Sequence, residues 1–201
     1  MTKVAFNNNR MSARTVRVFS AVEKLLEAGE NVRTRKLDLT EFARILERLP
    51  ADRKPLFELA LFTGMRPGEL VPVNRYSGEG TRGLTWDRVD YQDRVIRLEA
   101  EDTKTGEGRA VPITDEILDV LRRIARDLRS GHVFTYRGKP EKGLRGSGCL
   151  FGQNAENGFV FRDLRRTADT LMVRAGIPDV YRRTLLGHTL EGMDRHYVHP
   201  P

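Results

Sequence analysis

Five short stretches of this 201-residue chain carry the side chains that could do chemistry. They are TGMRPGEL (63–70), DTKTGEGRAVPI (102–113), FRDLRRT (161–167), LLGH (185–188) and HYVH (196–199). The six candidates within them are Arg66, Lys104, Arg162, Arg165, His188 and Tyr197. Guanidiniums stabilise the spread charge of a transferring phosphate, lysine can protonate a leaving oxygen, and tyrosine can attack where cations assist it. Each residue alone also fits an ordinary structural role, but the set indicates phosphoryl transfer without a metal ion.

Local sequence gives some candidates a defined setting. Arg66 directly precedes Pro67, which suits the first position of a helix, so the free N–H groups of that helix should face whatever Arg66 binds. Glu69, one turn later, could hold a second arginine or could act only through the helix dipole. Arg162 and Arg165 share one helical face, where two guanidiniums repel unless an anion lies between them.

The elements that must position these residues are mostly helical. Apolar periodicity of about 3.6 residues predicts helices at 12–28, from the N-cap candidate Thr40, at Arg53–Phe62, from Pro67, across DEILDVLRRIARDLR after the cap Thr114, at Phe161–Ala175, from Pro178 to Leu186 and at Met193–Tyr197. Alternating patterns predict three strands at Leu84–Val89, Arg94–Glu99 and Arg109–Ile113, and Lys104 lies in the turn between the last two. The predicted fold class is α+β, mostly α, with a small three-stranded antiparallel sheet.

Composition favours a nucleic-acid partner. The net charge is +7, the pI is about 9.8, and 28 of the 35 basic residues are arginine, which binds phosphate bidentately. The excess lies in residues 1–50 and in a Gly-rich loop at 129–150, each with a net charge of +4. That loop could lie on a DNA backbone or be an ordinary solvated loop, and an arginine-rich proteome would also give a basic chain.

Several classes of protein do not fit the sequence. The single cysteine, Cys149, excludes a disulfide framework and a cysteine-based zinc site, and four histidines make a metal enzyme a poor fit. No apolar run reaches the length of a membrane span, and the N-terminus lacks the apolar core of a signal peptide. We therefore expect no metal, no cofactor and no membrane partner, and a cytoplasmic protein associated with the nucleoid.

The ordered motifs resemble those of the tyrosine recombinases, also called phage-type integrases, over about residues 38–199. TGMRPGEL resembles the box of the first catalytic arginine, TKTGEGRAVPI the hairpin of the catalytic lysine, and FRDLRRT the His-x-x-Arg box. The resemblance implies that Tyr197 forms a 3′-phosphotyrosyl link, that Arg66 and Arg165 clamp the phosphate, that His188 donates to a non-bridging oxygen and that Lys104 protonates the leaving 5′ oxygen. It implies a helical catalytic domain that cleaves and rejoins double-stranded DNA, and a tetrameric synapse in the full-length setting.

Three features depart from the family pattern. Arg162 stands where the motif has histidine, and an arginine can donate charge there but cannot act as a base. A polar insertion at 74–83 lengthens the interval between Arg66 and Lys104. The flanks are short, so we expect residues 1–37 to be a helix and linker left from a core-binding domain and residues 38–201 to be the catalytic domain. The chain ends four residues after Tyr197, which predicts a missing tail helix and a monomer in isolation.

Two other functions remain compatible with the sequence. The first is a DNA-binding regulator on the same fold with impaired catalysis, a hypothesis that Arg162 and the short flanks motivate. The second is a nicking and rejoining enzyme similar to type IB topoisomerases, with the same chemistry and no synapsis.

Overall fold

The computed structural model of the protein describes residues 34–72, 82–125, 131–136, 139–140 and 159–188. The predicted helices at 12–28 and Met193–Tyr197, most of the insertion 74–83, and Cys149 lie outside these ranges. From Arg35 onward, the described residues belong to one compact unit that spans residues 35–201. In those ranges no helix is long and apolar enough to cross a membrane.

Six α-helices account for most of the regular structure in the described ranges. They are α1 (Leu39–Arg48), α2 (Lys54–Thr63), α3 (Pro67–Leu70), α4 (Asp115–Arg123), α5 (Arg162–Arg174) and α6 (Asp179–Leu186). The predicted stops at Gly64 and Gly187 are confirmed, since both residues take a left-handed backbone as helix caps. The predicted fold class, mostly α with one small three-stranded antiparallel sheet, is confirmed.

The three-stranded sheet consists of β1 (Val89–Asp90), β2 (Val95–Leu98) and β3 (Arg109–Pro112), in that order and antiparallel. Ile96 pairs with Val111, and Leu98 pairs with Arg109, so these four side chains share the buried face. Since side chains alternate along a strand, an arginine in register with Val111 points into the protein.

Two parts of the strand prediction are wrong. Residues Trp86–Arg88 form a 3-10 turn rather than the middle of a strand, because the Arg88 N–H bonds back to the Thr85 carbonyl at 3.1 Å. Within the predicted Gly-rich loop, β4 (Thr135–Tyr136) and β5 (Lys139–Pro140) form a short hairpin. Val133 and Phe134, just before it, are buried, so this part of the loop is anchored to the core rather than solvated.

Helix α2 is the centre of the core because it is apolar on almost every side. Leu56, Phe57, Leu59 and Ala60 are all buried, and the helix packs against α4 and α5. The Phe57 ring meets that of Phe161 edge to face, with 5.0 Å between ring centroids. This packing fixes the end of α2, from which the chain continues directly into the segment that carries Arg66.

Several helix boundaries differ from the prediction by a residue or more, and two of these differences have a clear physical reason. Helix α1 begins at Leu39 rather than at Thr40, because Asp38 is the N-cap: its Oδ1 accepts the Glu41 N–H at 2.7 Å. Helix α4 ends at Arg123, although the apolar spacing continues. Ile124 has an extended backbone yet still packs on the core, so it contributes an apolar position from beyond the helix.

The N-cap assignment gives a testable difference between two neighbouring polar residues. Asp38→Ala removes the acceptor for the Glu41 N–H and should lower the free energy of unfolding by about 1 kcal/mol. Thr40→Ala, the matched control, removes a side chain from the first turn and should change that free energy by less than about 0.5 kcal/mol. Urea unfolding of both variants measures the difference, and an equal or larger loss for Thr40→Ala would contradict the assignment.

Candidate active site

The last turn of α6 gathers three arginines from three different parts of the chain. Arg109 Nε donates to the Leu185 carbonyl at 2.9 Å, Arg165 Nη2 donates to the Leu186 carbonyl, and Arg66 Nη2 donates to the Gly187 carbonyl at 2.8 Å. A helix cannot satisfy its own last carbonyls, and its C-terminal end carries partial negative charge. Guanidiniums are suited to both needs, so three successive carbonyls fix three side chains.

Glu69 joins two of these arginines. Its carboxylate accepts both terminal nitrogens of Arg109, at 3.0 and 2.7 Å, and Arg66 Nη1 at 3.1 Å. The side chains of Glu69 and Arg109 are only 2% and 3% exposed. Burial by itself raises the pKa of Glu69, but the hydrogen bonds and charges of Arg109 and Arg66 outweigh it and hold that pKa below its ordinary value. Glu69 is therefore ionised, and the sequence-based interpretation that it holds a second arginine applies, with Arg109 as that arginine.

Arg66 is the N-cap residue of α3, with an extended backbone. Its own N–H donates to Glu69 Oε2 at 2.7 Å, so the carboxylate binds both the backbone and the side chain of Arg66. The N–H of this N-cap residue is thus already occupied by Glu69. Pro67 has no N–H, so the expectation that the helix N–H groups face an anion stays a prediction that concerns the residues after it.

Arg165 projects from the second turn of α5 toward the same place. Its Nη1 donates to the Gly64 carbonyl at 2.8 Å, so the end of α2 and the end of α6 together determine its position. Burial, with the positive charge of Arg66 beside it, lowers the pKa of Arg165 to about 10. The side chain is still protonated at neutral pH, and its charge is poorly solvated before any ligand arrives.

His188 follows the helix cap directly. Gly187 has φ +62°, and the His188 N–H bonds back to the Arg183 carbonyl at 2.9 Å, which turns the chain sharply after α6. Partial burial, then the charges of Arg165 and Arg66, lower the pKa of His188. The imidazole is therefore driven toward its neutral form, in which one ring nitrogen still donates a hydrogen bond.

The cluster has more positive than negative charge. The carboxylate of Glu69 offsets one of the three positive charges of Arg66, Arg109 and Arg165. Asp169 also acts on Arg165 and His188, but it is bound to Arg182. An excess of fixed guanidinium charge beside a histidine is an arrangement that binds a phosphate and stabilises further negative charge on it.

The other predicted site residues stand differently. Lys104 lies in the loop between β2 and β3 and is exposed, and no hydrogen bond or ion pair joins it to the arginine cluster among the described residues. Arg162, the first residue of α5, is also exposed and has no hydrogen bond or ion pair within those ranges. Tyr197 lies outside the described residues. The structure thus brings together Arg66, Arg165 and His188.

Arg109 is the residue that the motif analysis passed over. It lies within GRAVPI, but its significance is in the strand register: Arg109, Val111 and Ile113 are two residues apart and all buried. A charged residue on the inward face of a strand requires a buried partner of opposite charge. That parity is the signal in the sequence that could have identified it.

Within residues 34–72, 82–125, 131–136, 139–140 and 159–188, no three His, Cys, Asp or Glu side chains are grouped so that they could hold a metal ion.

The packing of Gly187 against Arg109 gives a direct test of this geometry. A Cβ at position 187 would lie 2.7 Å from Arg109 Nη1 and 3.1 Å from Cζ, whereas a Cβ at Gly176 would meet nothing within 4 Å. Both glycines have positive φ, so alanine at either costs about 1–2 kcal/mol in backbone strain. Gly187→Ala should lose about 1–3 kcal/mol more than Gly176→Ala, because it displaces the buried ion pair. Equal losses in urea unfolding would show that Arg109 is not held there.

Comparison with known sequences identifies relatives among phage integrases. A sequence model described as the phage integrase family matches residues 23–201. The integrase of Salmonella phage P22 is 25% identical over 188 residues, which cover 85% of this chain and 45% of that protein. The integrase of Shigella phage Sf6 is 29% identical over 100 residues, covering 47% of this chain and 26% of that protein. The chain thus spans less than half the length of either relative.

Solved structures share the fold. The Tn1549 transposon integrase in complex with circular intermediate DNA has a TM-score of 0.61 at 16% identity, covering 99% of this chain and 71% of that one. The catalytic core of lambda integrase has a TM-score of 0.56 at 21% identity, covering 80% of this chain and 95% of that one. The family match extends over most of the sequence and includes the segments that carry Arg66, Arg165 and His188. The chain belongs to the phage integrase family.

Proposed function

We propose that residues 38–201 are the catalytic domain of a site-specific DNA recombinase, which cleaves and rejoins double-stranded DNA through a 3′-phosphotyrosyl intermediate without a metal ion. The observation that carries the proposal is the gathering of three guanidiniums beside a histidine of lowered pKa, with the carboxylate of Glu69 offsetting one of the three positive charges. In this arrangement the protein's own cations supply the positive charge that stabilises the transition state of phosphoryl transfer.

The proposed reaction assigns one role to each side chain. The Tyr197 oxygen attacks the scissile phosphorus and its proton passes to solvent, while the bond from phosphorus to the 5′ oxygen breaks. Arg66 and Arg165 hold the non-bridging oxygens, and His188 in its neutral form donates to one of them. Lys104 gives a proton to the departing 5′ oxygen, and the reverse sequence rejoins the strand.

The proposed partners follow from the solved relatives. The lambda integrase has been solved as a dimer bound to a core site and as a tetramer bound to a Holliday junction. We propose double-stranded DNA as the substrate of this chain, with further recombinase subunits joining it on DNA and a monomer in the absence of DNA. Its place of action would be the nucleoid in the cytoplasm.

The first test concerns the nucleophile and the metal. On a nicked duplex that traps the cleaved state, the chain should form an SDS-stable protein–DNA adduct in the presence of EDTA. Tyr197→Phe should abolish the adduct because it removes the attacking oxygen, whereas Tyr181→Phe, at an exposed position on α6, should leave it unchanged. An adduct that persists in Tyr197→Phe, or that EDTA abolishes, would contradict the proposal.

The second test concerns Arg162, which replaces the histidine of the family motif. We expect the Arg162 side chain to donate hydrogen bonds and positive charge to the phosphate. Arg162→Ala removes that donor and should cost roughly 2–4 kcal/mol of transition-state stabilisation. Arg162→His should retain measurable cleavage, and Arg174→Ala, at the exposed far end of α5, should cleave at the wild-type rate. Single-turnover rates on the same duplex measure all three. A fully active Arg162→Ala would place that side chain outside the site, and a wild-type chain that binds DNA without cleaving it would favour the regulator.

A further inference from the structure

The loop that carries Lys104 stands on a buried polar frame. We propose that Asp102, Thr103 and Arg88 are positioning residues for Lys104: they fix its backbone so that only the side chain moves. The inference rests on the proposed function, in which Lys104 protonates the leaving oxygen. By its sequence Lys104 lies in an ordinary turn between strands, and nothing in the motif itself indicates that other residues hold this turn in place.

The lower part of the frame is a buried carboxylate. Asp102 ends a 3-10 turn, Ala100–Asp102, and its side chain is 7% exposed. Its Oδ2 accepts the Glu99 N–H at 3.0 Å and lies 3.1 Å from Arg88 Nε. A buried carboxylate is costly to leave unpaired, so Arg88 and the end of β2 are both held to it.

Arg88 connects the loop to the neighbouring strand, β1. Besides Asp102, its guanidinium lies 3.0 Å from Glu101 Oε1 and 3.6 Å from Glu99 Oε1. It belongs to the 3-10 turn directly before β1, and because β1 pairs antiparallel with β2, Arg88 lies near the residues that follow β2. The guanidinium of Arg88 thus pairs with the carboxylates of Glu99, Glu101 and Asp102, and these ion pairs hold the backbone of residues 99–102 in place.

Thr103 connects the two ends of the loop through its hydroxyl group. Its hydroxyl oxygen lies 3.2 Å from the Ala100 carbonyl and 3.0 Å from the Glu107 carbonyl, and its one proton can be donated to either. The bond to Glu107 bridges residues 104–106, and Thr103 itself is buried. Lys104 is the next residue and is exposed, so its backbone starts from a fixed point while its side chain can turn freely.

Such a frame matters because proton transfer depends on distance. A general acid must come within about 3 Å of the atom that it protonates, and a displacement of about 1 Å can cost about 100-fold in rate. A long lysine side chain already loses conformational freedom when it reaches the leaving oxygen. A second source of disorder in the loop backbone would reduce further the fraction of productive positions.

The test uses the full chain and two DNA substrates. In one substrate the 5′ bridging atom of the scissile phosphate is oxygen, and in the other it is sulfur, which leaves as a thiolate and needs no proton. Lys104→Ala should slow the oxygen substrate by about 10²–10⁴-fold and the sulfur substrate little. Thr103→Val and Asp102→Asn should follow the same pattern, with a loss of about 10- to 100-fold on oxygen that sulfur largely restores.

Two further variants control for folding. Thr103→Ser keeps the hydroxyl and should cleave the oxygen substrate at close to the wild-type rate. Asp93→Asn makes the same change as Asp102→Asn at an exposed carboxylate that pairs with Arg97 on the same sheet, and it should be neutral on both substrates. Thermal unfolding of every variant identifies any loss that comes from unfolding, which sulfur would not restore.

The outcomes separate this inference from the function on which it rests. Suppose that sulfur restores the cleavage rate of Lys104→Ala. If Thr103→Val and Asp102→Asn then cleave both substrates equally slowly, or both at close to the wild-type rate, the positioning role is wrong and the role of Lys104 stands. If sulfur fails to restore Lys104→Ala, the proposed role of Lys104 is wrong, and the inference is overturned with it.

Discussion

The candidate site depends on the carbonyls at the end of α6, which have no hydrogen-bond donor within the helix itself. Leu185, Leu186 and Gly187 each accept from an arginine, and these arginines come from β3, α5 and the segment before α3. The helix end has to be satisfied, and guanidiniums satisfy it, while the partly exposed Arg66 and Arg165 keep some of their N–H groups for a ligand. Since His188 follows these carbonyls directly, the same interactions place the imidazole beside the cations.

Glu69 makes this gathering possible. Without a carboxylate, three guanidiniums converging on one helix end would repel one another, and Arg109 would be a buried unpaired charge. The ionised carboxylate of Glu69 neutralises one of the three positive charges and leaves the remaining positive charge to bind a phosphate. The site is therefore preorganised before DNA arrives, and less reorganisation is needed when negative charge develops on the phosphate.

The sequence predicts the parts of this arrangement that local patterns encode. For Glu69 the spacing leaves two roles open, holding a second arginine or acting only through the helix dipole, while the helix stop at Gly187 and the position of His188 after it follow from capping. The identity of that arginine does not, because Arg109 meets Glu69 only through the tertiary fold, although strand parity places it on the buried face. The turn at Trp86–Arg88 and the early end of α4 were mispredicted because apolar spacing does not distinguish a helix or strand from extended or turned backbone that also packs on the core. The residues that hold the Lys104 loop include Arg88, which comes from the turn before β1 and meets Asp102 only through strand pairing. No local sequence pattern indicates that contact.

The central claim is that Glu69 and Arg109 act as one buried unit that holds the site together. A double-mutant cycle on the free energy of unfolding, with Glu69→Gln, Arg109→Gln and the double variant, tests it most directly. Glu69→Gln leaves the buried charge of Arg109 without its carboxylate, and Arg109→Gln leaves the buried Glu69 with Arg66 as its remaining partner. Each single variant should lose about 3–5 kcal/mol, whereas the double variant should lose clearly less than the sum of the two. Losses that add, or single losses below about 0.5 kcal/mol, would contradict the account.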